Sequence, residues 1–329
     1  MKFLVTGGGG YIGSHLIKKL QKENHEVVII DNFSTGNRWS VKNCEIHEID
    51  LLDKDKLFSN LKNIKFDGVF HLAAKSIVSE SFQIPEAYYL NNVVGTQNVL
   101  ELMSVLNIEK IVFSSTAAVF GAPLENKISE DHLKKPKSPY GLSKLKAEEV
   151  LQKYSTNRKL KSISLRYFNA AGAEHEGKIG EFHNPETHLI PNICNSLIKQ
   201  NKKLKVFGSN YDTYDGTCIR DYIHVSDIVA AHLNAFEKLN SKDFSMEYNL
   251  GNSIGFSILE IIRVAEKISG KKLNFSLVEK RADEPSILIA NNSKAIKELE
   301  WNINYSDISE IISTALNWHK NFNKGVHLN

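Results

Sequence analysis

The chain predicts an α/β fold: a doubly wound parallel sheet, followed by a smaller C-terminal α/β part. Three observations carry this. An apolar run, Lys2–Thr6, opens directly into Gly7-Gly8-Gly9-Gly10 and then a helical pattern. Short β-rich runs alternate with amphipathic stretches as far as about residue 169, and beyond it the alternation fades into long loops marked by proline and glycine. Alternation of this kind pairs strands in parallel through right-handed crossovers, with helices covering both faces.

Each element follows from its own pattern. Lys2–Thr6 (KFLVT) reads as a buried strand, and the helix after the glycines carries Ile12, Leu16, Ile17 and Leu20 at helical spacing. Residues 26–30 (EVVII) form the second strand, ending at Asp31, and further strands are expected over 45–49, 68–72, 110–114 and 162–167. Helical patterns span 87–106 and 141–154, then 190–200, 226–239, 257–269 and 308–322. The loops 172–191 and 208–217 are too long to be mere connections, and long loops in compact domains are often binding elements. The predicted organisation is a dinucleotide-binding part over 1–170 and a substrate part over 171–329, with interleaved segments, closing a cleft over the strand ends.

Composition narrows the function. With 41 basic and 38 acidic residues the chain has almost no net field, and no basic face suited to nucleic acid is evident. The nearest candidate, residues 199–205 with four lysines, reads as solvated surface. The apolar N-terminal run is too short for a signal peptide or a membrane span, so no membrane partner and a cytoplasmic location are expected. Cys44, Cys194 and Cys218 lie far apart without C-x-x-C spacing, which fits a reducing compartment. His183 and His188 lack the i, i+4 spacing of helical metal ligands and have prolines around them, so no metal is expected.

The glycine run satisfies G-x-G-x-x-G through Gly8, Gly10 and Gly13, and also G-x-x-G-x-x-G through Gly7, Gly10 and Gly13. Such a loop lets backbone approach a pyrophosphate at a helix N-terminus, where free N–H groups and the dipole favour an anion. Asp31 follows Gly13 by 18 residues, near the spacing of the acid that accepts from the adenosine ribose. It would repel a 2′-phosphate, so NAD is expected as cofactor rather than NADP. Asp50 and Leu51, at the end of the third strand, are positioned to meet the adenine.

The decisive pattern is Tyr140-Gly141-Leu142-Ser143-Lys144, which puts a phenol and an ammonium on one helix face. A tyrosine ionises near pH 10, and lowering that to about 7 takes roughly 4 kcal/mol. One unit charge ~4 Å away at an effective dielectric of ~20 supplies that order of energy, so Lys144 is expected to depress Tyr140 directly. A phenolate so poised takes a proton from a sugar hydroxyl while hydride leaves the same carbon. Thr116, just beyond the 110–114 strand, offers a hydroxyl to share that proton.

Taken together, the Gly7 to Gly13 loop, His71-Leu72-Ala73-Ala74, Asn91, Ser114-Ser115-Thr116 and Tyr140/Lys144 resemble the extended short-chain dehydrogenases/reductases. More narrowly, the chain resembles the UDP-glucose 4-epimerase family. The resemblance is carried by 166–172 (RYFNAAG), 184–191 (NPETHLIP), and Asp215-Gly216-Thr217 followed by 220–225 (RDYIHV), and it runs almost end to end. It implies a Rossmann-type fold, bound NAD and epimerisation at carbon 4 of a UDP-hexose through a transient 4-keto sugar, and leaves open whether the N-acetylated pair, or instead a UDP-pentose or UDP-uronate, is the substrate. It places Tyr11, Ile12, Asn32, Leu72, Ala73, Ala74, Asn91 and Phe168 on the cofactor, with Lys144 at the nicotinamide ribose. Thr116 and Tyr140 would face the sugar. Asn169, His188 and Leu189 would contact the UDP, with Val206 and Phe207 near the uracil. Arg220 and Arg281 would grip the diphosphate; taken alone, Arg220 reads equally well as an ion-pair partner of Asp215 or Asp221. The resemblance also implies a homodimer packed through helices of the first part.

Three departures stand out. Ala282-Asp283-Glu284 replaces a small residue followed by Gly-Asp, which makes Glu284 the candidate for the uridine ribose. Phe120 stands where V-Y-G is common, and Leu288 occupies a wall position that bears on whether an N-acetyl group fits. Dehydratases and decarboxylases of the superfamily place acidic chemistry right after the threonine, whereas Ala117 and Ala118 follow Thr116 here. A non-catalytic NAD sensor would need none of the hydroxyl, phenol and lysine.

Overall fold

The computed structural model describes residues 1–123, 125–158, 160–199, 203–240, 245–281 and 284–325. In chain order the elements begin with β1 (Lys2–Thr6), α1 (Tyr11–Lys22), β2 (Glu26–Asp31), β3 (Glu45–Glu48), α2 (Lys54–Leu61), β4 (Gly68–His71), α3 (Val78–Ser81) and α4 (Pro85–Tyr89). Next come α5 (Gly95–Leu106), β5 (Lys110–Thr116), α6 (Pro139–Arg158), β6 (Lys161–Tyr167), β7 (Asn169–Ala171), α7 (Leu189–Lys199), β8 (Leu204–Phe207) and β9 (Ile219–His224). The last are α8 (Val225–Lys238), β10 (Ser245–Leu250), β11 (Gly255–Ser257), α9 (Ile258–Ser269), β12 (Phe275–Val278), β13 (Ile287–Leu288), α10 (Ser293–Glu298) and α11 (Ile308–Asn323).

Seven parallel strands form the main sheet in the order β10-β6-β5-β4-β1-β2-β3. The order reverses between β1 and β4, and ligands bind open α/β sheets in the crevice outside the strand ends at such a switch point. Six of the seven strands are the ones expected from the apolar runs. The seventh, β10, comes from the C-terminal half and carries a mixed sequence, SMEYNL, because it is an edge strand whose first three residues are only partly covered. With it returns α8, whose Ile228, Val229, Ala231, Ala235 and Phe236 pack into the core with Phe3, Phe70, Val112 and Ile163. Helix α8 and strand β10 therefore belong to the first layer although the chain has already built part of the second.

The helix expected over 87–106 is interrupted. Leu90–Val94 forms a π-helical turn between α4 and α5. Asn92 accounts for it: its amide clamps Lys75, accepting from the Lys75 amide at 2.8 Å and donating to its carbonyl at 3.0 Å, and also donates to Ser143 Oγ at 2.9 Å. Side-chain bonds of this kind draw a turn out of register, and π-bulges recur at functional sites.

The second layer is smaller. β9 pairs with β7 and β13 in parallel and with β11 antiparallel, while β8 pairs with β12. Helices α7, α9 and α11 pack around them through Ile193, Cys194, Leu197, Ile261, Ile262, Ile311 and Leu316. Helix α9 begins at 258 because Ser257 and Glu260 form a capping box. Cys44, Cys194 and Cys218 are free thiols. Among the described residues no helix is long and apolar enough to cross a membrane.

One buried ion pair locks α6 onto the sheet. Arg166 on β6 is 0% exposed and gives Glu148 a two-pronged contact, Nε to Oε1 at 2.9 Å and Nη2 to Oε2 at 2.7 Å. Ser115 on β5 donates to the same carboxylate. Removing one partner of such a pair leaves an uncompensated buried charge. Glu148→Ala is expected to lower the unfolding free energy by about 3–5 kcal/mol in a urea titration. The paired change Glu148→Leu with Arg166→Met should recover most of that loss; equal losses in the single and the paired variant would mean that the pair is not what holds α6.

Candidate active site

The cofactor crevice begins where β1 ends. Gly7 has φ +72, and a Cβ there would lie 2.5 Å from the Ala73 amide nitrogen, so the loop packs directly on the segment after β4. At Gly13 a Cβ would come within 2.3 Å of the Gly7 carbonyl oxygen, so α1 starts against the loop itself. Helix α1 has Gly10 as its N-cap and no side-chain cap, which leaves its first amides suited to an anion.

Gly7, Gly10, Asp31, Asn32 and Leu51 line the crevice together with Leu72, Ala73, Ala74 and Asn91, all expected from the sequence. Ser34, Thr35, Gly36 and Lys75 line it as well and carry no motif of their own. The signal for the first three is steric: a Cβ at Gly36 would stand 3.0 Å from Asp31 Oδ2, so the loop must fold back on the acid. Asp31 accepts from the Gly9 amide and from the Phe33 amide, both at 2.8 Å, and each oxygen keeps a lone pair for a ribose hydroxyl. Burial pushes its pKa up, and the two amides oppose that. These features fit a dinucleotide.

Seven expected cofactor residues stand outside this lining: Tyr11, Ile12, Gly13 and Asp50 close to the loop, and Tyr140, Lys144 and Phe168 farther along the chain. The Tyr11 hydroxyl donates to the Gly172 carbonyl at 2.7 Å, tying α1 to the segment after β7. Ile12 packs against the sheet core, and Gly13 sits beneath the loop. Asp50 accepts from Asn32 Nδ2 and from the Leu52 amide, both at 2.9 Å, so it positions Asn32.

Thr116 closes β5, Tyr140 lies in the first turn of α6, and Lys144 follows one turn later. Tyr140 and Lys144 are 9% and 2% exposed. The Lys144 ammonium donates to the Ser114 carbonyl at 2.7 Å and lies 4.6 Å from the Phe113 ring centroid. Burial lowers its pKa to about 7, with Glu148 opposing. The phenol departs from the expectation of a value near 7: burial pushes it up to about 12, against a lowering hydrogen bond with Thr116. Sharing a helix face sets where the Cα atoms stand, but the long lysine chain ends where its acceptor is, on β5. Desolvation then outweighs the field at the phenol.

On the second layer, Asn169 Nδ2 donates to the Asp221 carbonyl at 2.7 Å, and Phe168 and Leu288 each pack against the cluster of Ala117, Val119, Phe120 and Ile128. His188 and Leu189 stand at the start of α7, and Val206 and Phe207 end β8, with the Arg281 guanidinium 4.3 Å from the Phe207 ring centroid. Arg220 pairs neither with Asp215 nor with Asp221. Its partner is Glu284 at 3.1 Å, which also lies 4.0 Å from Arg281 and accepts from the Tyr211 hydroxyl at 3.0 Å. Glu284 thus pairs closely with Arg220 and only loosely with the exposed Arg281. Ala282 and Asp283, and residues 200–202 of the lysine-rich stretch, lie outside the described residues.

The loop before α7 brings His183 and His188 together after all, with Glu181 and Glu186, all four ligand atoms lying within 4.8 Å of one another. Helical spacing is not the relevant criterion, because the segment is a loop.

Comparison with known proteins adds the following. The model of the NAD dependent epimerase/dehydratase family matches residues 3–251. The chain is 42% identical over 326 residues to the UDP-glucose 4-epimerase of Lacticaseibacillus casei, covering 99% of this chain and 98% of that protein. The crystal structure of UDP-glucose 4-epimerase from Brucella ovis in complex with NAD superposes with a TM-score of 0.92 at 39% identity, covering 96% of this chain and 97% of the other. The UDP-Glc/GlcNAc 4-epimerase from Campylobacter jejuni does so at 0.84 and 39% identity, covering 97% and 99%.

Because the Gly13 position has no room for a methyl group, Gly13→Ala must part α1 from the loop. Overpacking costs ~1–3 kcal/mol, so dinucleotide affinity is expected to fall roughly 5- to 150-fold while the circular dichroism spectrum is kept. An NAD titration of both proteins reads this out, and unchanged affinity would show that the loop does not cradle the pyrophosphate.

Proposed function

The chain belongs to the NAD dependent epimerase/dehydratase family, among its UDP-glucose 4-epimerases, and from that premise we propose how its residues divide the work. The enzyme reversibly inverts carbon 4 of a UDP-hexose through a transient 4-keto sugar. NAD held there would supply the hydride acceptor for carbon 4 and, once reduced, the hydride donor. Gly7, Gly10 and the first turn of α1 hold the pyrophosphate, and Asp31 the adenosine ribose. The Tyr140 phenolate accepts the C4 hydroxyl proton, and Thr116 shares it. Arg220 and Arg281 take the diphosphate, with Asn169, His188, Leu189, Val206, Phe207 and Glu284 around the rest of the nucleotide.

What carries this reading is the burial of phenol and ammonium in the first turns of α6, with the half-buried Thr116 hydroxyl at the end of β5 hydrogen-bonded to the phenol. A phenol at about 12 is a poor base at neutral pH, so positive charge has to gather around it before it works. Lys144 supplies charge from the chain, and the cationic nicotinamide ring of bound NAD adds more. The two-part organisation, with α8 and β10 crossing back, is read as a cofactor part and a sugar-nucleotide part. A homodimer is supported by Phe82, Ile84, Tyr89, Leu90, Val105 and Leu142, which are 40–62% exposed and carried around α3 to α6.

Purified enzyme is expected to convert UDP-galactose to UDP-glucose with no net release of NADH. Tyr140→Phe should keep substrate binding and lose about 10²- to 10⁴-fold in kcat, the usual worth of general acid–base catalysis. Lys144→Met should slow turnover and move the pH–rate profile upward, because the phenolate loses a neighbouring cation. An unmoved profile would restrict Lys144 to anchoring on Ser114.

The sugar range turns on Leu288, which packs against the cluster of Ala117, Val119, Phe120 and Ile128. Leucine leaves more room at a pocket wall than an aromatic ring does. Activity on both UDP-galactose and its N-acetylated analogue is therefore proposed. Leu288→Tyr is expected to cut kcat/KM for the N-acetylated sugar roughly 5- to 150-fold, matching an overpacking cost of ~1–3 kcal/mol, and to spare UDP-galactose. A ratio that does not move would take Leu288 off the pocket wall.

A further inference from the structure

Four side chains of one short loop converge just before α7, and the nucleotide reading uses only His188 among them. From their convergence we infer that Glu181, His183, Glu186 and His188 form a binding site for a divalent cation of the zinc class.

The donor set is two imidazole nitrogens and two carboxylate oxygens, a combination that suits zinc and its first-row neighbours. A tetrahedral ion with bonds of about 2.0–2.1 Å separates its donor atoms by roughly 3.3 Å. His183 Nδ1 stands 3.5 Å from Glu181 Oε1 and 3.7 Å from Glu186 Oε2, and His188 Nδ1 is hydrogen-bonded to Glu181 Oε1. Three edges of the tetrahedron are thus close to closed. With neutral imidazoles the four groups carry two negative charges, which a dication balances.

Burial makes that balance matter. The Glu181 and Glu186 side chains are 5% and 10% exposed, while His188 is 52% exposed and leaves one side open to an arriving ion. His183 Nδ1 is buried with no hydrogen-bond partner among the described residues. The loop also braces its ligands from behind, as metal sites require. Trp318 Nε1 donates to the Glu181 carbonyl at 3.0 Å, and a Cβ at Gly180 would lie 2.4 Å from the same indole ring, so the loop is pressed onto α11. The Thr187 and His188 amides donate to Glu186 Oε1 at 2.8 and 2.9 Å, which leaves Oε2 as the oxygen facing His183.

The test uses chelator-treated, NAD-containing enzyme, titrated calorimetrically with zinc and, separately, with cobalt(II) to follow visible absorption. One ion per chain is expected, with the absorption of four-coordinate cobalt. His183→Ala and Glu186→Gln should each weaken binding at least about tenfold, since even indirect support of a metal ligand is worth that much. His175→Ala, which breaks a histidine–glutamate pair to Glu310 elsewhere on the surface, should leave binding unchanged. Circular dichroism and bound NAD verify that each variant is folded. A titration without a one-to-one site, or binding that His183→Ala and Glu186→Gln leave intact, overturns the proposal.

Discussion

The buried pair between Arg166 and Glu148 is the constraint on which the site rests. A guanidinium with no exposure cannot be left alone, so β6 dictates where Glu148 must stand. Glu148 follows Lys144 by four residues, and Lys144 follows Tyr140 by four, so the three share one face of α6. Once the far end of that face is pinned to β5 and β6, the rotation and register of the helix follow. The phenol and ammonium then come to lie beside Thr116. The π-helical turn serves the same end from the other side, since Asn92 joins the segment after β4 to Ser143.

Burial of that face has an electrostatic consequence. In the protein alone, desolvation drives lysine down to about 7 and tyrosine up to about 12, so burial works against the charged form of both. Moving the phenolic proton onto the amine creates an ion pair of the same total charge. A further cation in the pocket favours the phenolate and disfavours the ammonium, so the two groups respond in opposite senses to the same field. In the proposed mechanism, a cationic nicotinamide ring would therefore favour the phenolate. Hydroxyl sharing with Thr116 works in the direction of ionisation.

On the nucleotide side the arginines already have a carboxylate partner. Glu284 pairs closely with Arg220, lies loosely by Arg281 and takes the Tyr211 hydroxyl as well. If the two arginines take the diphosphate as proposed, a ligand with more charge and more oxygens would compete with Glu284 for the same guanidinium groups.

How much of this was legible in the residues alone follows from the range of each signal. Local periodicity sufficed for six strands of the sheet, for the longer helices α1, α5 to α9 and α11, though not for the short α2, α3 and α10, and for the glycine loop. It also revealed the Tyr140/Lys144 pair, because all of these are patterns within about a dozen residues. Tertiary structure decided whatever depends on segments distant in sequence. It brought β10, an edge strand with too few apolar residues to announce itself, back to the main sheet. It turned Ser34, Thr35 and Gly36 into crevice wall, and it chose Glu284 over Asp215 and Asp221 as the partner of Arg220. It sent the Lys144 ammonium to a carbonyl on β5, although helical spacing alone would have allowed it to face the phenol. It also gathered two histidines and two glutamates on a loop where no regular spacing applies. The physical reason is common to all five: side-chain ends and loop paths follow the lowest-energy contact available in three dimensions, and a one-dimensional pattern carries only the periods of regular backbone.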